Sequence, residues 1–278
     1  MFRGLLVAVL GLTALPIVCA PARADDTPTF VADPATGCRV GTFYPKPGLV
    51  PHWSGACVAG KAEGLGVTEW QLDGVFNNRS EGTYRAGLRD GRVLVTTADG
   101  GRGEAEFRNG RMNGRCVFTQ ADGAHFDGQC ANDERNGFGK QTFASGNRYE
   151  GDYRDDDLNG RGVYIWTNGQ RYEGDFADGQ RNGRGRETYP SGAHYEGDWV
   201  DGDYEGQGTY TFADGQVYEG EWAHDLPNGR GVFHGVTRGL LGSGQHDFAG
   251  TWINGCFAQD PYTAHLFKSA QECGFDDD

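Results

Sequence analysis

Apolar and polar positions alternate along most of this chain, and the alternation is organised in copies of 23 residues. In the copy opening at Tyr149, Tyr149, Gly151 and Tyr153 alternate with Glu150 and Asp152. A polar stretch, Arg154 to Asn159, follows, and a second alternating run extends from Gly160 to Trp166. Thr167-Asn168-Gly169 then turns into the next copy. Period-two alternation, aromatic and β-branched enrichment and glycine-bearing turns predict β-hairpins. No segment between Asp25 and Phe257 sustains a 3.6-residue period, so the body reads as antiparallel β. Gly82, Gly128, Gly151, Gly174, Gly197 and Gly220 keep strict register, with Ala105 in the remaining slot. A fixed short period marks an array whose copies bury surface mainly against their neighbours, and such arrays usually hold or bind things.

The alternation sorts side chains onto two faces. One carries rings and glycines, the glycines leaving floor on which a neighbouring ring lies flat. In a single-layer sheet these rings are expected to be exposed. They form the candidate interaction face: Tyr149, Tyr153, Tyr164, Trp166, Tyr172, Phe176, Tyr189, Tyr195, Trp199, Tyr210, Phe212, Tyr218 and Trp222. The other face carries columns of carboxylates (Glu150, Glu173, Glu196, Glu219) interleaved with Arg161, Arg184 and Arg230. Opposite charges across strands contribute about 0.2–1 kcal/mol each, and a solvated charge-laced face is the simpler reading of these columns.

These residues resemble the MORN repeat (membrane occupation and recognition nexus), whose pattern is Tyr-Glu-Gly-Glu-Trp, a turn, Gly-x-Gly, aromatics and a closing Asp-Gly or Asn-Gly. The match is close at Tyr149 to Tyr153 with Asn159-Gly160-Arg161-Gly162, at Tyr172 to Phe176 with Asn182-Gly183-Arg184-Gly185, and at Tyr218 to Trp222 with Asn228-Gly229-Arg230-Gly231. It weakens toward the start, where Gly103 replaces the leading Tyr and Ala105 the central Gly. A degenerate first copy opens around Gly55, and a late one at Asp247-Phe248-Ala249-Gly250-Thr251-Trp252 follows a seven-residue insertion. The resemblance covers residues 51–257 in about nine copies. It implies an all-β, elongated, single-layer twisted antiparallel sheet of tandem hairpins, roughly 85 Å long at about 4.8 Å per strand. It also implies protein contact, self-association or lipid attachment, with any enzymatic activity in a separate attached domain. The segment Cys38…Trp53-Ser54-Gly55-Ala56-Cys57 looks like the start of exported bacterial MORN proteins.

The ends refine this picture. Arg3, the apolar run Leu5 to Val18 and Ala22-Arg23-Ala24 read as a secretory signal peptide over residues 1–24, cut before Asp25. A lipid attachment at Cys19 is disfavoured by the preceding Val18. The product is expected in the periplasm or outside the cell. Of 7 cysteines, Cys19 leaves with the signal, and an even six remain in an oxidising compartment. Cys116 and Cys130 lie symmetrically about Gly123, which predicts a cross-strand bridge, with Cys38–Cys57 and Cys256–Cys273 stapling the two ends. Residues 25–50 read as a mostly irregular cap with a strand at Val40 to Phe43. Residues 258–278 read as a second cap, in which Asp260-Pro261 opens a short helix from Tyr262 to Glu272.

Charge narrows the partners. The chain carries −14, and loss of Arg3 and Arg23 deepens this to −16. Such a surface repels phosphate backbones and anionic headgroups, so nucleic acid is excluded as a partner. Asp155-x-Asp157-x-Asn159-Gly160 and Asp201-x-Asp203-x-Glu205-Gly206 copy the opening of a calcium loop, but Trp166 and Phe212 stand where the bidentate Glu belongs. Turn chemistry explains both. The seven histidines show no metal spacing, and no nucleophile or phosphate-loop motif is present, so neither cofactor nor enzymatic activity is expected. Two functions fit. The first is an exported scaffold that docks a protein, or a second copy of itself, through the ring face or a sheet edge. The second is an envelope module contacting neutral glycan or lipid.

Overall fold

The computed structural model describes residues 27–237, 244–259 and 262–274. The signal segment, the centre of the insertion and Asp260-Pro261 lie outside the described residues. The chain divides into two compact bodies. The first takes the described residues up to Gly123 together with Asp127–Asn136; the second takes Ala124–Phe126 and the described residues from Gly137 onward.

In the first body, β1 (Thr29–Ala32), β2 (Arg39–Thr42) and β3 (Leu49–Trp53) precede the repeating hairpins. Then come β4 (Ala56–Val58), β5 (Lys61–Leu72), β6 (Val75–Arg85), β7 (Leu88–Thr97), β8 (Arg102–Arg108) and β9 (Arg111–Thr119). Strands β10 (His125–Ala131) and β11 (Glu134–Thr142) contribute residues to both bodies. Residues 25–50 carry more strand than the one expected at Val40 to Phe43: β1 pairs antiparallel with β2, and β3, which opens at Leu49, pairs with β5 from Leu49↔Leu72 to Trp53↔Thr68. The sequence hid this because Pro45, Pro47 and Gly48 break the pattern between two short strands that lack the repeat's alternation. A small core of Cys38, Val40, Trp53, Ala62, Trp70 and Tyr84 forms beneath them. Buried Asp33 ties this core together, accepting from the Trp53 and Ala35 amides at 3.0 and 2.8 Å and from the Thr36 hydroxyl at 3.0 Å.

The second body continues with β12 (Arg148–Arg154), β13 (Asp157–Ile165), β14 (Arg171–Ala177), β15 (Gln180–Thr188), β16 (His194–Val200), β17 (Asp203–Thr211), β18 (Val217–Ala223) and β19 (Leu226–Thr237). It closes with β20 (Gly244–Ile253), β21 (Cys256–Gln259) and β22 (Tyr262–His265). Each strand pairs antiparallel with the next. Successive repeats hold one register, in which Gly151 faces Gly162, Gly174 faces Gly185 and Gly197 faces Gly208.

Two turn types alternate. Within a repeat the connection is only two residues long, as at Asp155-Asp156, both with positive φ (49° and 73°). That is the mirror-image turn whose twist matches paired strands. The polar stretch Arg154 to Asn159 is therefore not all turn; its second half belongs to β13. The surplus length is taken up by a bulge opposite Asp152, where the register jumps between Gly151 and Tyr153 and Gly160 takes a φ of 68°. Between repeats a wider turn closes with the Trp166 amide donating to the Gln170 carbonyl at 2.9 Å.

Cys38–Cys57, Cys116–Cys130 and Cys256–Cys273 are disulfides, with Cα separations of 5.8, 6.0 and 5.5 Å. The expected helix at Tyr262 to Glu272 does not form. Tyr262–His265 pairs with Cys256–Gln259 as a strand, and only a 3₁₀ turn at Gln271–Cys273 follows. A free sheet edge next to the segment offers hydrogen bonds that a short, weakly periodic helix cannot match.

Candidate docking surface

The ring face is covered by itself. Of the thirteen rings expected at the surface, nine are buried: Tyr149, Tyr153, Tyr164, Tyr172, Phe176, Tyr195, Trp199, Tyr218 and Trp222. Trp166, Tyr189, Tyr210 and Phe212 are half-buried. The reason lies in the glycine column. A Cβ on Gly174 would stand 2.5 Å from both the Gly185 Cα and the Tyr172 hydroxyl, so only bare backbone lets that ring lie flat. Each ring then meets the next edge-on: Tyr149 with Phe176 at 5.3 Å, Tyr172 with Trp199 at 5.1 Å, Tyr195 with Trp222 at 5.3 Å, Tyr218 with Trp252 at 5.3 Å. Such pairs contribute about 0.5–1.5 kcal/mol beyond the area they bury. These rings are the core that a single layer otherwise lacks.

Most polar atoms within this core are satisfied in the same repeating way; the Trp252 indole is buried with no hydrogen-bond partner among the described residues. The Tyr149, Tyr172, Tyr195 and Tyr218 hydroxyls donate to the carbonyls of Asp152, Asp175, Asp198 and Glu221 at 2.9–3.1 Å. Those carbonyls belong to the bulge. The Trp199 and Trp222 indoles donate to the Gly185 and Gly208 carbonyls at 3.2 and 3.0 Å. Burial raises the pKa of all four tyrosines well above the usual 10.

One repeat departs from the rule. Where the others place Tyr164, Tyr210 and Phe233, the chain places Glu187, which is 1% exposed. Its carboxylate accepts from Arg181 Nη1 (2.5 Å), Gln170 Nε2 (2.6 Å), the Tyr189 hydroxyl (2.7 Å) and the Tyr204 hydroxyl (2.9 Å). The Arg181 guanidinium lies 4.3 Å over the Trp199 ring and donates to the Gly202 carbonyl. The signal for this cluster is in the sequence. Glu187 breaks the aromatic column, and Arg181 simultaneously breaks the column of Leu158, Tyr204 and Pro227.

The opposite face of the second body is open. It forms a trough of about 1150 Å³ floored by the paired glycines and walled by Glu150, Glu173, Arg186, Glu196, Thr209 and Glu219. This exceeds the ~300–1,000 Å³ usual for a small-molecule pocket. Two carboxylate columns border it, and they differ in use. Asp175 is committed to the bulge and to its neighbours: it accepts from the Arg184 amide at 3.1 Å and stands 3.5 Å from Arg161. Asp198 likewise accepts from the Gln207 amide and the Arg184 side chain, both at 3.1 Å. The Glu column is exposed. Lys140 meets Glu150 at 2.8 Å and Arg171 meets Glu173 at 2.6 Å, whereas Glu196 and Glu219 form no ion pair among the described residues. Among the described residues no group of three or more His, Cys, Asp or Glu side chains is placed to hold a metal ion. None of the described helices is long and apolar enough to cross a membrane.

Comparison with known proteins fits this architecture. The family model described as MORN repeat matches six consecutive segments, residues 104–125, 126–148, 149–171, 172–194, 195–217 and 218–239. That stretch of chain consists of six MORN repeats. No curated protein sequence matches significantly. Among solved structures, the TCP domain of Drosophila melanogaster SAS-4 (dCPAP), determined with a proline-rich motif of Ana2 (dSTIL), is 16% identical with a TM-score of 0.33. The match covers 57% of this chain and 84% of that one. The wild-type TCP10 domain of Danio rerio CPAP is 13% identical with a TM-score of 0.33, over 71% of this chain and 91% of that one. Neither likeness says what this chain binds.

Proposed function

We propose that the protein is an exported, non-catalytic repeat scaffold that docks a polypeptide in the trough of its second body. The observation that carries this reading is the division of labour between the two faces: nine of the thirteen rings are consumed as core, and the glycine-floored trough is left open. A long, shallow, polar trough suits a chain segment better than a small molecule. A non-catalytic role accords with the repeats, and three disulfides accord with export into an oxidising compartment. The residues that build the docking face are therefore Glu173, Glu196, Thr209 and Glu219 rather than the buried rings.

The test is selection of a displayed random-peptide library on the immobilised full-length protein, repeated on a Thr209→Trp variant whose indole blocks the trough. The reading expects peptides enriched on the native protein and lost on the variant. No enrichment, or peptides retained equally by both, overturns it.

A further inference from the structure

The trough has a spacing, and the spacing selects a partner. Glu196 and Glu219 lie in the same position of successive repeats, separated by the intervening strand residue Thr209, which pairs with both. Two inter-strand steps of about 4.8 Å put the backbone positions of these two residues about 9.6 Å apart. The direction from one to the other runs across the strands, so a segment lying along the trough meets them in turn.

Charge complementarity points to a cation at each position. Nearby carboxylates are already engaged: Asp175 and Asp198 by Arg161, Arg184 and backbone amides, and Glu150 and Glu173 by Lys140 and Arg171. Arg186, standing between Glu173 and Glu196, sets the boundary of the acidic stretch. Glu196 and Glu219 remain exposed and without an ion pair among the described residues.

We propose, building on the docking role above, that the trough takes a basic polypeptide segment in the polyproline II conformation, with Lys or Arg at positions i and i+3. A polyproline II helix rises about 3.1 Å per residue with three residues per turn, so side chains three apart recur on one face every ~9.3 Å. That keeps step with the ~9.6 Å repeat of the strand positions that carry the carboxylates. An α-helix brings side chains back to one face every ~5.4 Å, and a β-strand alternates every ~6.7 Å; neither keeps step with the repeat. The uncommitted backbone of a polyproline II segment also suits a floor of glycines, whose own amides and carbonyls are spent in the sheet.

The experiment uses the full-length protein and three synthetic fluorescent peptides of matched length, titrated by anisotropy. One has lysine at every third residue with prolines between; one carries the same number of lysines at every fourth residue; one has glutamate replacing lysine at every third. The proposal expects the three-residue period to bind tightest, the four-residue period to bind weaker and the acidic peptide not to bind. Substituting Glu196→Gln together with Glu219→Gln should weaken the first by about tenfold, the sum of two exposed ion pairs. Both changes are on exposed side chains, and a thermal melt checks that folding is retained. Equal affinity for both lysine periods, or binding indifferent to the double substitution, overturns the proposal. Library peptides that bind the trough but lack this pattern overturn it while leaving the docking role standing.

Discussion

The Arg181 guanidinium stands 2.5 Å from the Glu187 carboxylate inside a column of rings, the two occupying slots that neighbouring repeats give to Leu158 and Tyr164. A buried pair of this kind is often no more stabilising than the apolar residues it replaces, whereas removing one partner strands the other. Glu187→Ala is therefore expected to lower stability by about 3–5 kcal/mol. Arg181→Leu with Glu187→Tyr, which restores the pattern of the neighbouring repeats, should be neutral or stabilising. Urea unfolding of both variants checks this; a double variant as damaged as the single would show that the pair holds the array together.

The recurring hydrogen bond from Tyr172 to the Asp175 carbonyl closes a bulge that the sheet ladder leaves open. Tyr172→Phe leaves that carbonyl unsatisfied and is expected to cost about 0.5–1.5 kcal/mol in a denaturant melt. An unchanged midpoint would mean that the bulge carbonyl finds another donor.

The same tyrosines set an alkaline limit. Burial, above all, raises the folded pKa of Tyr149, Tyr172, Tyr195 and Tyr218 above 10, so the unfolded chain loses these protons first. Their contribution is fully present below pH 10 and is lost as pH rises beyond it. Urea midpoints measured between pH 8 and pH 11 should hold steady and then fall, with a shallower fall for Tyr172→Phe. A flat profile to pH 11 would contradict this.

Cys116 and Cys130 close a loop with a sequence separation of 14 between paired strands. Replacing both by serine should cost about 3 kcal/mol, the loop-closure value for that length. Thermal unfolding of the double variant measures it, and a loss below about 1 kcal/mol would place the bridge outside the folding core.

Phe267 lies against the rings of the last repeats. Its ring, 46% exposed, packs against Tyr210, Phe212 and Trp222 at 5.0–5.8 Å. It does so at a φ of 65°, a conformation that bulky residues rarely adopt. Phe267→Ala should lower the melting point and quicken hydrogen exchange in β18 and β19. Unaltered exchange there would show the ring to be ornamental.

Much of this was legible in the residues. The 23-residue period, the two-sided alternation and the glycine register fixed the hairpins, because each depends on local chemistry that repeats. What alternation did not reveal was which face remains open. A single layer suggests exposed rings, and only the packing of Tyr172 against Trp199, over glycine, shows that the ring face covers itself. The terminal strands escape the pattern for another reason: β1–β2 and β21–β22 are short hairpins without the repeat's periodicity, and β3 skips β4 to pair with β5. Glu187 and Arg181 were visible as breaks in their columns, but their meeting could be seen only in three dimensions.

The most direct measurement is an amide chemical-shift map of the full-length protein titrated with a trough-selected peptide. Docking in the trough predicts perturbations concentrated at Glu173, Glu196, Thr209 and Glu219, with the amides around Trp166, Tyr189 and Phe212 unmoved. Shifts centred on that ring column instead would contradict the assignment of the open face as the binding face.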